Sequence, residues 1–508
     1  MSNNILQYFK QTVSKTPDKI AIIDNNQTIN FKNLDSKSKI LAKIILQKED
    51  FINKPIAVLL PKSIESIVAD IAISYSSNIY MNLDIKTPAS RIRNIVDLIK
   101  PRIVITNKEF AGFIKDINPN LALILIEEVD FSNDSNDEQL YQRLRHMIDT
   151  DPLCIINTSG STGTPKGVIL NHRSYIDYTN WAVDTFNFTG DEKLGVLSPI
   201  IFDHFNFEIC LMMFKGSTLV LLDNNIAMFP IKLLEKVIAE QVNFIFWVPS
   251  IMVNIANMDL LTKVDLSHLK MVWFAGEVFP TKQFNYWKRC LPQATFVNLY
   301  GPIETTVDCT YYVVKRNIND DEPIPIGYPC RNTDVFILND KNEITSVNEE
   351  GELCVRGTSL AMGYYNNPEK TAEAFVQNPL NTSYPEIIYR TGDVVFKNES
   401  GEIIFKGRKD SLVKHMGYRI ELGEIEHVII NTLKLVENGC VLYNRKKKEI
   451  TLFYESQHVI SVAETKKSIA AVFPKYMIPS VFYKLDQLPK NTNGKIDRLM
   501  LANEFDNG

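Results

Sequence analysis

The segment richest in side chains that could do chemistry runs from Thr158 to Gly167. It mixes glycines with serine and threonine hydroxyls and closes on Pro165, Lys166 and Gly167. Glycines let backbone N–H groups surround an anion, the hydroxyls add donors, and the Lys166 ammonium adds a positive charge. The segment therefore predicts a loop that binds a polyphosphate, with a flexible surface loop as the alternative.

This loop differs from the GxxxxGK[ST] phosphate loop. Lys166 is followed by Gly167 and Val168, so no hydroxyl stands where that motif holds magnesium, and the glycine spacing differs as well. A short apolar stretch at residues 153–156 precedes the loop and predicts a strand. The phosphate-binding prediction therefore depends on this particular order of residues.

Several charged groups downstream stand on turns that could serve the same ligand. Glu304 follows a Gly-Pro break and, beside a phosphate loop, is a candidate magnesium ligand, although alone it would be a solvated turn residue. Asp393 closes a tight turn, and its carboxylate suits the two hydroxyls of a ribose. Residues 401–408 predict a strand that places Arg408 next to Asp393. The alternative for these two side chains is a surface ion pair. Lys495 lies on a glycine-hinged turn near the C-terminus.

The elements that must position these residues predict a mixed α/β protein. The continuous apolar run at residues 55–60 predicts a strand covered on both faces, and helical spacing follows at residues 64–71. This alternation predicts mostly parallel sheets with helices. Residues 351–410 predict a β-rich part, and a domain boundary is expected near Lys409. Beyond it, residues 417–426 predict a capped helix that opens a small α+β unit.

Bulk properties narrow the class of function. The formal net charge of −5 creates no broad basic field, so nucleic acid is not expected as a partner. The basic run at residues 445–448 predicts a solvated hairpin tip. The seven cysteines include no C-x-x-C pair and predict reduced thiols in a cytoplasmic protein. The N-terminus lacks the apolar core of a signal peptide, and no apolar run reaches bilayer length, so no membrane partner is expected.

Five segments of the chain resemble, in order, those of the adenylate-forming superfamily, which includes acyl-CoA synthetases, firefly luciferase and the amino-acid adenylation domains of nonribosomal peptide synthetases. They are residues 158–167, 300–306, 389–393, 407–426 and 489–498. The resemblance implies an enzyme that uses ATP and Mg²⁺ to activate a carboxylic acid to an acyl-AMP. It also implies a large N-terminal α/β domain with a β-rich subdomain, residues 1–409, and a small mobile C-terminal α+β lid, residues 410–508.

The resemblance implies a role for each matching residue. Lys495 would bridge the carboxylate and the α-phosphate, Glu304 would bind magnesium, and these two with Thr158 form the implied catalytic group. Tyr300 would stack on adenine, and Asp410 would be the hinge of the lid. The residues implied for nucleotide binding are Thr158, Ser159, Gly160, Ser161, Thr162, Gly163, Lys166, Asn298, Tyr300, Gly301, Thr305, Asp393, Phe405, Arg408 and Lys495.

The resemblance also favours an amino acid as the acid that is activated. Asp203 stands where peptide-synthetase domains bind the α-ammonium group, and activators of plain acids generally lack a carboxylate there. The pocket implied by the same matching is lined by Asp203, His204, Phe207, Phe246, Trp273, Ala275, Leu299, Val307 and Asp308. Its large rings favour a small substrate. Asp308 favours serine or a short amine as the substrate, and the alternative is that Asp308 is a structural carboxylate. Residues 274–280 resemble D-alanine–carrier-protein ligases and favour alanine.

The acceptor is expected to be the phosphopantetheine thiol of a separate carrier protein. No carrier segment follows Arg498, so the enzyme is expected to be free-standing. Free CoA is the alternative acceptor, and a catalytically decayed sensor of nucleotide or amino acid is the alternative class. Departures from the peptide-synthetase pattern at Asn82, Leu412, His415 and Met416 bear on the acceptor and the subfamily rather than on the chemistry.

Overall fold

The computed structural model of the chain describes residues 3–132, 136–158, 165–409, 412–436, 438–456, 460–489 and 496–506. The strands are β1 (Ile20–Asp24), β2 (Gln27–Asn30), β3 (Pro55–Leu59), β4 (Ile79–Asn82), β5 (Ile103–Thr106), β6 (Ala122–Leu125), β7 (Pro152–Thr158), β8 (Lys166–Asn171), β9 (Lys193–Val196), β10 (Thr218–Leu221), β11 (Phe244–Trp247), β12 (Met271–Phe274), β13 (Thr295–Tyr300), β14 (Thr310–Val313), β15 (Tyr328–Pro329), β16 (Thr333–Leu338), β17 (Gly351–Gly357), β18 (Gly363–Tyr364), β19 (Phe375–Gln377), β20 (Ile387–Lys397), β21 (Ile403–Arg408), β22 (Leu412–His415), β23 (Tyr418–Glu421), β24 (Asn438–Asn444), β25 (Glu449–Glu455) and β26 (Val481–Lys484).

The α-helices alternate with these strands in the first part of the chain. They are α1 (Ile5–Lys15), α2 (Phe31–Lys48), α3 (Ile64–Tyr75), α4 (Ala89–Ile99), α5 (Lys108–Ile117), α6 (Glu138–His146), α7 (His172–Phe186), α8 (Asp203–Lys215), α9 (Pro230–Ala239), α10 (Pro249–Asn257), α11 (Thr281–Cys290), α12 (Pro368–Ala374), α13 (Leu422–His427), α14 (Val462–Ala470) and α15 (Arg498–Asp506). None of the helices in these ranges combines the length and the apolar character that crossing a membrane requires.

The chain divides into two compact units. The larger comprises the chain up to Ile85, Ile99–Ile156 and Val168–Gly407, and the smaller comprises Lys86–Leu98, Asn157–Gly167 and the chain from Arg408 onward. The mixed α/β fold with a large N-terminal part and a small C-terminal part is confirmed. The domain bounds given above, residues 1–409 and 410–508, stay a prediction.

A nine-stranded sheet forms one half of the larger unit. Its order is β15-β14-β13-β12-β11-β9-β10-β1-β2, with parallel pairing from β13 to β1 and antiparallel pairing toward both edges. The inner strands are short apolar runs buried on both faces, as in β11, where all four residues are buried. Alternate residues of these strands therefore enter two different cores, one on each face of the sheet.

A seven-stranded sheet forms the other half, in the order β18-β8-β7-β4-β3-β5-β6. The strands β4, β3, β5 and β6 pair in parallel, and β7 pairs in parallel with β4. Their carboxyl ends therefore meet at one edge, which is where open α/β sheets bind ligands. The predicted phosphate loop follows directly from the carboxyl end of β7.

The β-rich part of the larger unit and the smaller unit carry the remaining sheets. Strands β16, β17, β20, β19 and β21 form a five-stranded sheet. In the smaller unit, β24 pairs antiparallel with β25, so residues 445–448 are a hairpin tip as the sequence predicts. The helix predicted for residues 417–426 is wrong in its first half. Residues Tyr418–Glu421 form β23, which pairs with β22 and buries Ile420, and the helix α13 begins at Leu422.

A buried carboxyl group joins α3 to the end of β4. Asp70 is 2% exposed and accepts a hydrogen bond from Asn82 Nδ2 at 2.9 Å. Asp70 Oδ1 and Asn82 Oδ1 are both buried without a partner in the described part of the chain. Burial raises the pKa of Asp70 to about 8. A pKa above 7 keeps this carboxyl group mainly neutral at pH 7 in the folded protein, because burial disfavours its charged form.

The Asp70→Asn variant should lose part of the pH dependence of stability. The pKa of Asp70 rises on folding from 3.8 to about 8, so its contribution to stability is full below the lower value and is lost as pH rises through the higher one. Each pH unit in this window costs the wild type about 1.4 kcal/mol in the free energy of unfolding. An asparagine does not ionise. The free energy of unfolding, measured by urea denaturation, should therefore fall less between pH 5 and pH 7 in the variant than in the wild type.

A control variant and a second buried carboxyl group help to assign the pH dependence of stability to Asp70. The exposed Asp18→Asn variant should keep the wild-type fall between the two pH values. Burial also raises the pKa of Glu208 to about 8, so Glu208 supplies a second share of the pH dependence that the Asp70 variant retains. An Asp70→Asn variant with the full wild-type fall would show that Asp70 is ionised in the folded protein.

Candidate active site

Three aromatic side chains predicted to line the substrate pocket pack against each other. Phe207 of α8 stacks on Trp273 of β12, with ring centroids 5.6 Å apart and planes 7° apart. Phe246 of β11 lies edge-on at 5.5 Å from Trp273 and 6.2 Å from Phe207. Phe246 and Trp273 are register partners on neighbouring parallel strands, so both rings lie on one face of the nine-stranded sheet. These three rings form a packed aromatic wall.

The smaller apolar residues predicted for the pocket join this wall. Ala275 and Leu299 are each 2% exposed and Val307 is 1% exposed, and all three belong to the core that contains the aromatic wall. The Trp273 indole N–H is buried there and has no acceptor among the residues that the structure describes. Buried N–H groups are nearly always paired, so this donor is available to a ligand.

The first turn of α8 places the carboxylate predicted to bind an ammonium group. Asp203 is 9% exposed, and its Oδ1 accepts a hydrogen bond from the backbone N–H of His204 at 3.0 Å. A carboxylate is stabilised at this position by the helix dipole. The His204 ring lies 4.4 Å from the Phe246 ring, so α8 presents Asp203 beside the aromatic wall.

Asp308, the last predicted pocket residue, has a partner that the sequence analysis missed. The Tyr178 hydroxyl of α7 donates a hydrogen bond to Asp308 Oδ2 at 3.0 Å, and both residues are buried. The Tyr178 ring in turn meets Phe207 edge-on at 5.1 Å. The structure thus connects Asp308 through Tyr178 to the aromatic wall. Tyr178 belongs to no local motif, and the sequence alone indicates an ordinary core residue of an amphipathic helix.

Three strands bring together residues predicted to hold the nucleoside. The Tyr300 hydroxyl at the end of β13 donates a hydrogen bond to Asp393 Oδ2 on β20. Phe405 of β21 lies with its ring centroid 6.1 Å from that of Tyr300. Asp393 is 4% exposed, and its backbone N–H is bonded to Thr391 Oγ1 at 3.0 Å. Arg408, the last residue of β21, belongs to the smaller unit.

Asn298 precedes this group on β13 but lies on the other face of the sheet from Leu299. Its Nδ2 donates to the Pro325 carbonyl at 2.8 Å, and the residue is 8% exposed. That bond orients the amide and engages one of its two N–H donors. The role of Asn298 in nucleotide binding stays a prediction.

A buried turn carries the carboxylate predicted to bind magnesium. Glu304 lies in the 3₁₀ turn Ile303–Thr305 and is fully buried, and the Tyr364 hydroxyl donates to its Oε1 at 2.7 Å. Thr305, also buried, donates its hydroxyl to the Pro302 carbonyl at 2.8 Å. Within the described ranges no cluster of three or more histidine, cysteine or acidic residues could hold a metal ion alone. A single carboxylate fits Mg²⁺, which commonly takes one or two protein carboxylates together with phosphate oxygens and water.

Gly301 is required by the loop that links Tyr300 to the pocket. A Cβ atom at this position would lie 2.4 Å from the Asp308 Cα and 2.6 Å from the Val307 carbonyl oxygen. The loop is also strained, because Thr306 and Val307 have φ values of 54° and 64°. Left-handed backbone is rare for β-branched residues and costs of order 1–3 kcal/mol each. Tight packing around Gly301 holds Val307 and Asp308 in place despite this cost.

The Gly301→Ala variant should therefore be destabilised and weakened in both halves of the site. The added methyl meets backbone atoms that cannot rotate away, so the loop must shift, at a cost of about 1–3 kcal/mol or more in the free energy of unfolding. Thermal denaturation should give a lower Tm, and binding of the expected nucleotide and of the expected amino acid should both weaken. Gly112→Ala in α5 is the matched control, because nothing lies within 4 Å of its added methyl. A Gly301→Ala protein that behaves like the Gly112→Ala protein would contradict this account.

The residues that lead into the predicted phosphate loop carry buried polar atoms without partners among the described residues. Thr158 Oγ1 and both polar atoms of the Asn157 side chain are buried and unpaired among the described residues. Buried polar atoms of this kind require a partner such as a ligand or water. Lys166 is the first residue of β8, and its Nζ lies 4.0 Å from Glu421 Oε2. Both residues belong to the smaller unit. The predicted site residues Ser159, Gly160, Ser161, Thr162, Gly163, Asp410 and Lys495 lie outside the described residues.

Comparisons with known proteins give a family model, related sequences and similar solved structures. The family model for AMP-binding enzymes matches residues 9–365. Tyrocidine synthase 1 of Brevibacillus parabrevis is 31% identical over 504 residues, which cover 98% of this chain and 45% of that protein. The adenylation domain AlmE of Vibrio cholerae, solved in complex with glycyl-adenosine-5'-phosphate, superposes with a TM-score of 0.85 at 19% identity, over 100% of this chain and 98% of AlmE.

A second solved structure has the same fold. The nonribosomal peptide synthetase protein PA1221, which contains adenylation and PCP domains and is bound to a vinylsulfonamide inhibitor, superposes with a TM-score of 0.84 at 22% identity. The match covers 99% of this chain and 84% of that one. The chain spans less than half the length of the first curated relatives that it matches.

Proposed function

Because this chain belongs to the AMP-binding enzyme family, we propose that it uses ATP to activate a small amino acid and then transfers the aminoacyl group to the phosphopantetheine thiol of a separate carrier protein. Serine and alanine are the favoured substrates. The fold and the family support the adenylate-forming ligase chemistry. The amino acid, the carrier and the cytoplasmic location belong to the proposal.

The position of Asp203 carries the amino-acid assignment. Its carboxylate is almost fully buried at the start of α8, and the neighbouring His204 ring packs against Phe246 of the aromatic wall. A carboxylate at the edge of an aromatic pocket is suited to bind a substrate ammonium group. At about 4 Å such a pair contributes about 4 kcal/mol at an effective dielectric constant of 20, partly offset by desolvation. AlmE, with its bound glycyl adenylate, has the same fold.

The dimensions of the pocket favour a short side chain. Phe207, Phe246 and Trp273 fill one face with packed rings, and Leu299 and Val307 add branched groups beside them. Rings in such contact leave no room for a large side chain without repacking of the core. Glycine, alanine and serine are therefore the substrates to compare first.

The reaction forms a bond between a substrate carboxylate oxygen and the α-phosphorus of ATP, and breaks the bond between that phosphorus and the departing pyrophosphate. Both partners are anionic, so the protein must offset negative charge as the transition state forms. Lys495 and Lys166 supply positive charge, and the N–H groups and hydroxyls of residues 158–167 supply donors. Glu304 would hold a Mg²⁺ ion, which spreads the charge of the triphosphate when bound. The thiol then attacks the acyl carbon, and AMP leaves.

Pyrophosphate exchange tests the proposal. Purified protein is incubated with ATP, Mg²⁺, labelled pyrophosphate and one amino acid from a panel of L- and D-alanine, L-serine and glycine. The proposal predicts exchange that depends on the amino acid and is largest for serine or alanine. Exchange with no member of the panel, together with measurable nucleotide binding, would favour a nucleotide sensor instead.

A separate assay tests the acceptor. Thioester formation is compared between free CoA and phosphopantetheinylated carrier proteins, with the best amino acid of the panel. The proposal predicts acylation of a carrier protein. Acylation of CoA alone would make this chain an acyl-CoA ligase.

A further inference from the structure

We propose that Lys62 is a positioning residue for the substrate ammonium site, because its ammonium group fixes the segment that places Asp203. This inference rests on the proposed amino-acid activation and adds to it a residue that the sequence analysis did not identify. Lys62 follows β3 of the seven-stranded sheet, whereas the segment that leads to Asp203 follows β9 of the nine-stranded sheet. The lysine therefore acts from one sheet of the larger unit on the other.

The backbone that carries Lys62 is held on both sides. The preceding strand β3 is buried along its whole length. The following residue, Ser63, caps α3 through a capping box, in which its hydroxyl accepts from the Ser66 N–H at 3.3 Å and Ser66 Oγ accepts from the Ser63 N–H at 3.1 Å. A strand end and a capped helix start leave this backbone little freedom. The lysine side chain therefore extends from a fixed point.

The Lys62 ammonium group binds the chain where β9 ends. Nζ donates to the carbonyl of Val196, the last residue of β9, at 3.0 Å, and to the carbonyl of Ser198 at 3.3 Å. The Val196 carbonyl also accepts from the Leu222 N–H at 3.0 Å, so this end of the contact is anchored in the sheet. Hydrogen bonds from a charged donor are stronger than neutral ones. The bond to Ser198 therefore fixes the start of the connection that leaves the sheet.

This connection delivers Asp203. It comprises residues 197–202, which form neither helix nor strand, and α8 begins directly after them. Phe202 occupies the N-cap position, where an aromatic side chain offers no oxygen to the first N–H groups of the helix. Within the connection, the Phe202 N–H donates to the Pro199 carbonyl at 3.0 Å. The connection therefore places the start of α8, and Lys62 holds its other end.

Lys62 also acts on α8 itself, through Glu208. Burial raises the pKa of Glu208 to about 8, and the charge of Lys62 and a hydrogen bond from Ser198 act in the opposite direction. Glu208 is 1% exposed and belongs to the helix that begins with Asp203. Lys62 and Ser198 are thus both neighbours of this carboxyl group. The lysine is connected to α8 as well as to the segment that precedes the helix.

The Lys62→Met variant tests this inference. It keeps an apolar stem and removes the ammonium group, so the connection that carries Asp203 loses two hydrogen bonds. We expect the KM for the best amino acid of the panel to rise about tenfold to a hundredfold in pyrophosphate exchange, because a misplacement of about 1 Å in a site costs up to this factor. The KM for ATP should stay within about twofold of the wild-type value. Lys62→Arg keeps a charged donor and should recover most of the lost affinity.

A matched lysine separates positioning from general stability. Lys19 Nζ donates to the Gly190 carbonyl at 2.5 Å, shortly before β9 begins. Lys19→Met removes the same kind of bond and should leave both KM values unchanged, even if both variants lower the Tm equally. The same rise in KM in Lys19→Met, or equal rises for ATP and the amino acid in Lys62→Met, would overturn the inference and make Lys62 a structural residue. Absence of exchange in the wild type would instead overturn the proposed function.

A double-mutant cycle shows whether Lys62 acts through Asp203. Lys62→Met added to Asp203→Asn should raise the KM for the amino acid little further, because both substitutions affect one interaction. Additive rises would contradict the inference. If Lys62→Met folds poorly, Lys62→Gln replaces it in each comparison, since its side chain is uncharged and one atom shorter. A wild-type KM for the amino acid in Lys62→Gln would likewise overturn the inference.

Discussion

The Asp203→Asn variant is expected to raise the KM for the amino acid by about 10²- to 10³-fold, with little change in the KM for ATP. The substitution keeps an oxygen that accepts from the His204 backbone N–H, and it removes the negative charge that faces the substrate ammonium. A loss of about 3–4 kcal/mol corresponds to this factor, since an ion pair at 4 Å contributes about 4 kcal/mol before desolvation is subtracted. The measurement is amino-acid-dependent pyrophosphate exchange over a range of both substrates.

Charge recognition can be separated from general damage to α8. Glu208→Gln changes a second buried carboxyl group of the same helix and should leave the KM for the amino acid close to wild type. Discrimination between serine and 3-hydroxypropionate, which lacks only the amino group, should collapse in Asp203→Asn. If that discrimination stayed intact, Asp203 would not be the ammonium ligand.

The Lys495→Ala variant is expected to lower the rate of adenylate formation by about 10²- to 10³-fold. Removal of a preorganised group that stabilises developing charge typically costs this much. Transfer from a supplied aminoacyl-AMP to the thiol should continue largely unchanged, because that step forms no bond to phosphorus. Pyrophosphate exchange measures the first step, and acylation of a carrier protein by synthetic aminoacyl-AMP measures the second.

A neighbouring lysine supplies the control for this result. Lys490→Ala removes the same charge from the same segment of sequence and should retain pyrophosphate exchange. Exchange at the wild-type rate in Lys495→Ala would remove this lysine from the chemistry. Equal loss of both half-reactions would mean that the residue supports folding rather than adenylate formation.

Much of the fold could be predicted from local patterns. The continuous apolar run at residues 55–60 predicts a strand covered on both faces, and β3 is a fully buried inner strand. The basic run at residues 445–448 predicts a hairpin tip because four adjacent cations cannot be buried, and the structure has β24 and β25 on either side of it. The secondary structure of residues 417–421 could not be predicted in this way. The charged and apolar residues of this segment suit a helix, but pairing with β22 holds it as a strand.

The candidate site depends on contacts that a sequence does not display. The predicted pocket residues converge because register partners on parallel strands, such as Phe246 and Trp273, face the same way. Motif matching identifies those positions, but nothing in the sequence of α7 distinguishes Tyr178 from its buried neighbours. Tyr364, which donates to Glu304, is missed for the same reason. The strained backbone at Thr306 and Val307 runs against the preference of β-branched residues and follows from the close packing at Gly301.

The most direct test of the central claim is a crystal structure of the protein with a non-hydrolysable seryl-adenylate analogue. The account predicts the phosphate mimic at residues 158–167, the ribose hydroxyls on Asp393, the ammonium group on Asp203 and the seryl hydroxyl on Asp308. A complex in which the amino group lies away from Asp203, or in which the phosphate mimic lies away from that glycine-rich segment, would contradict it.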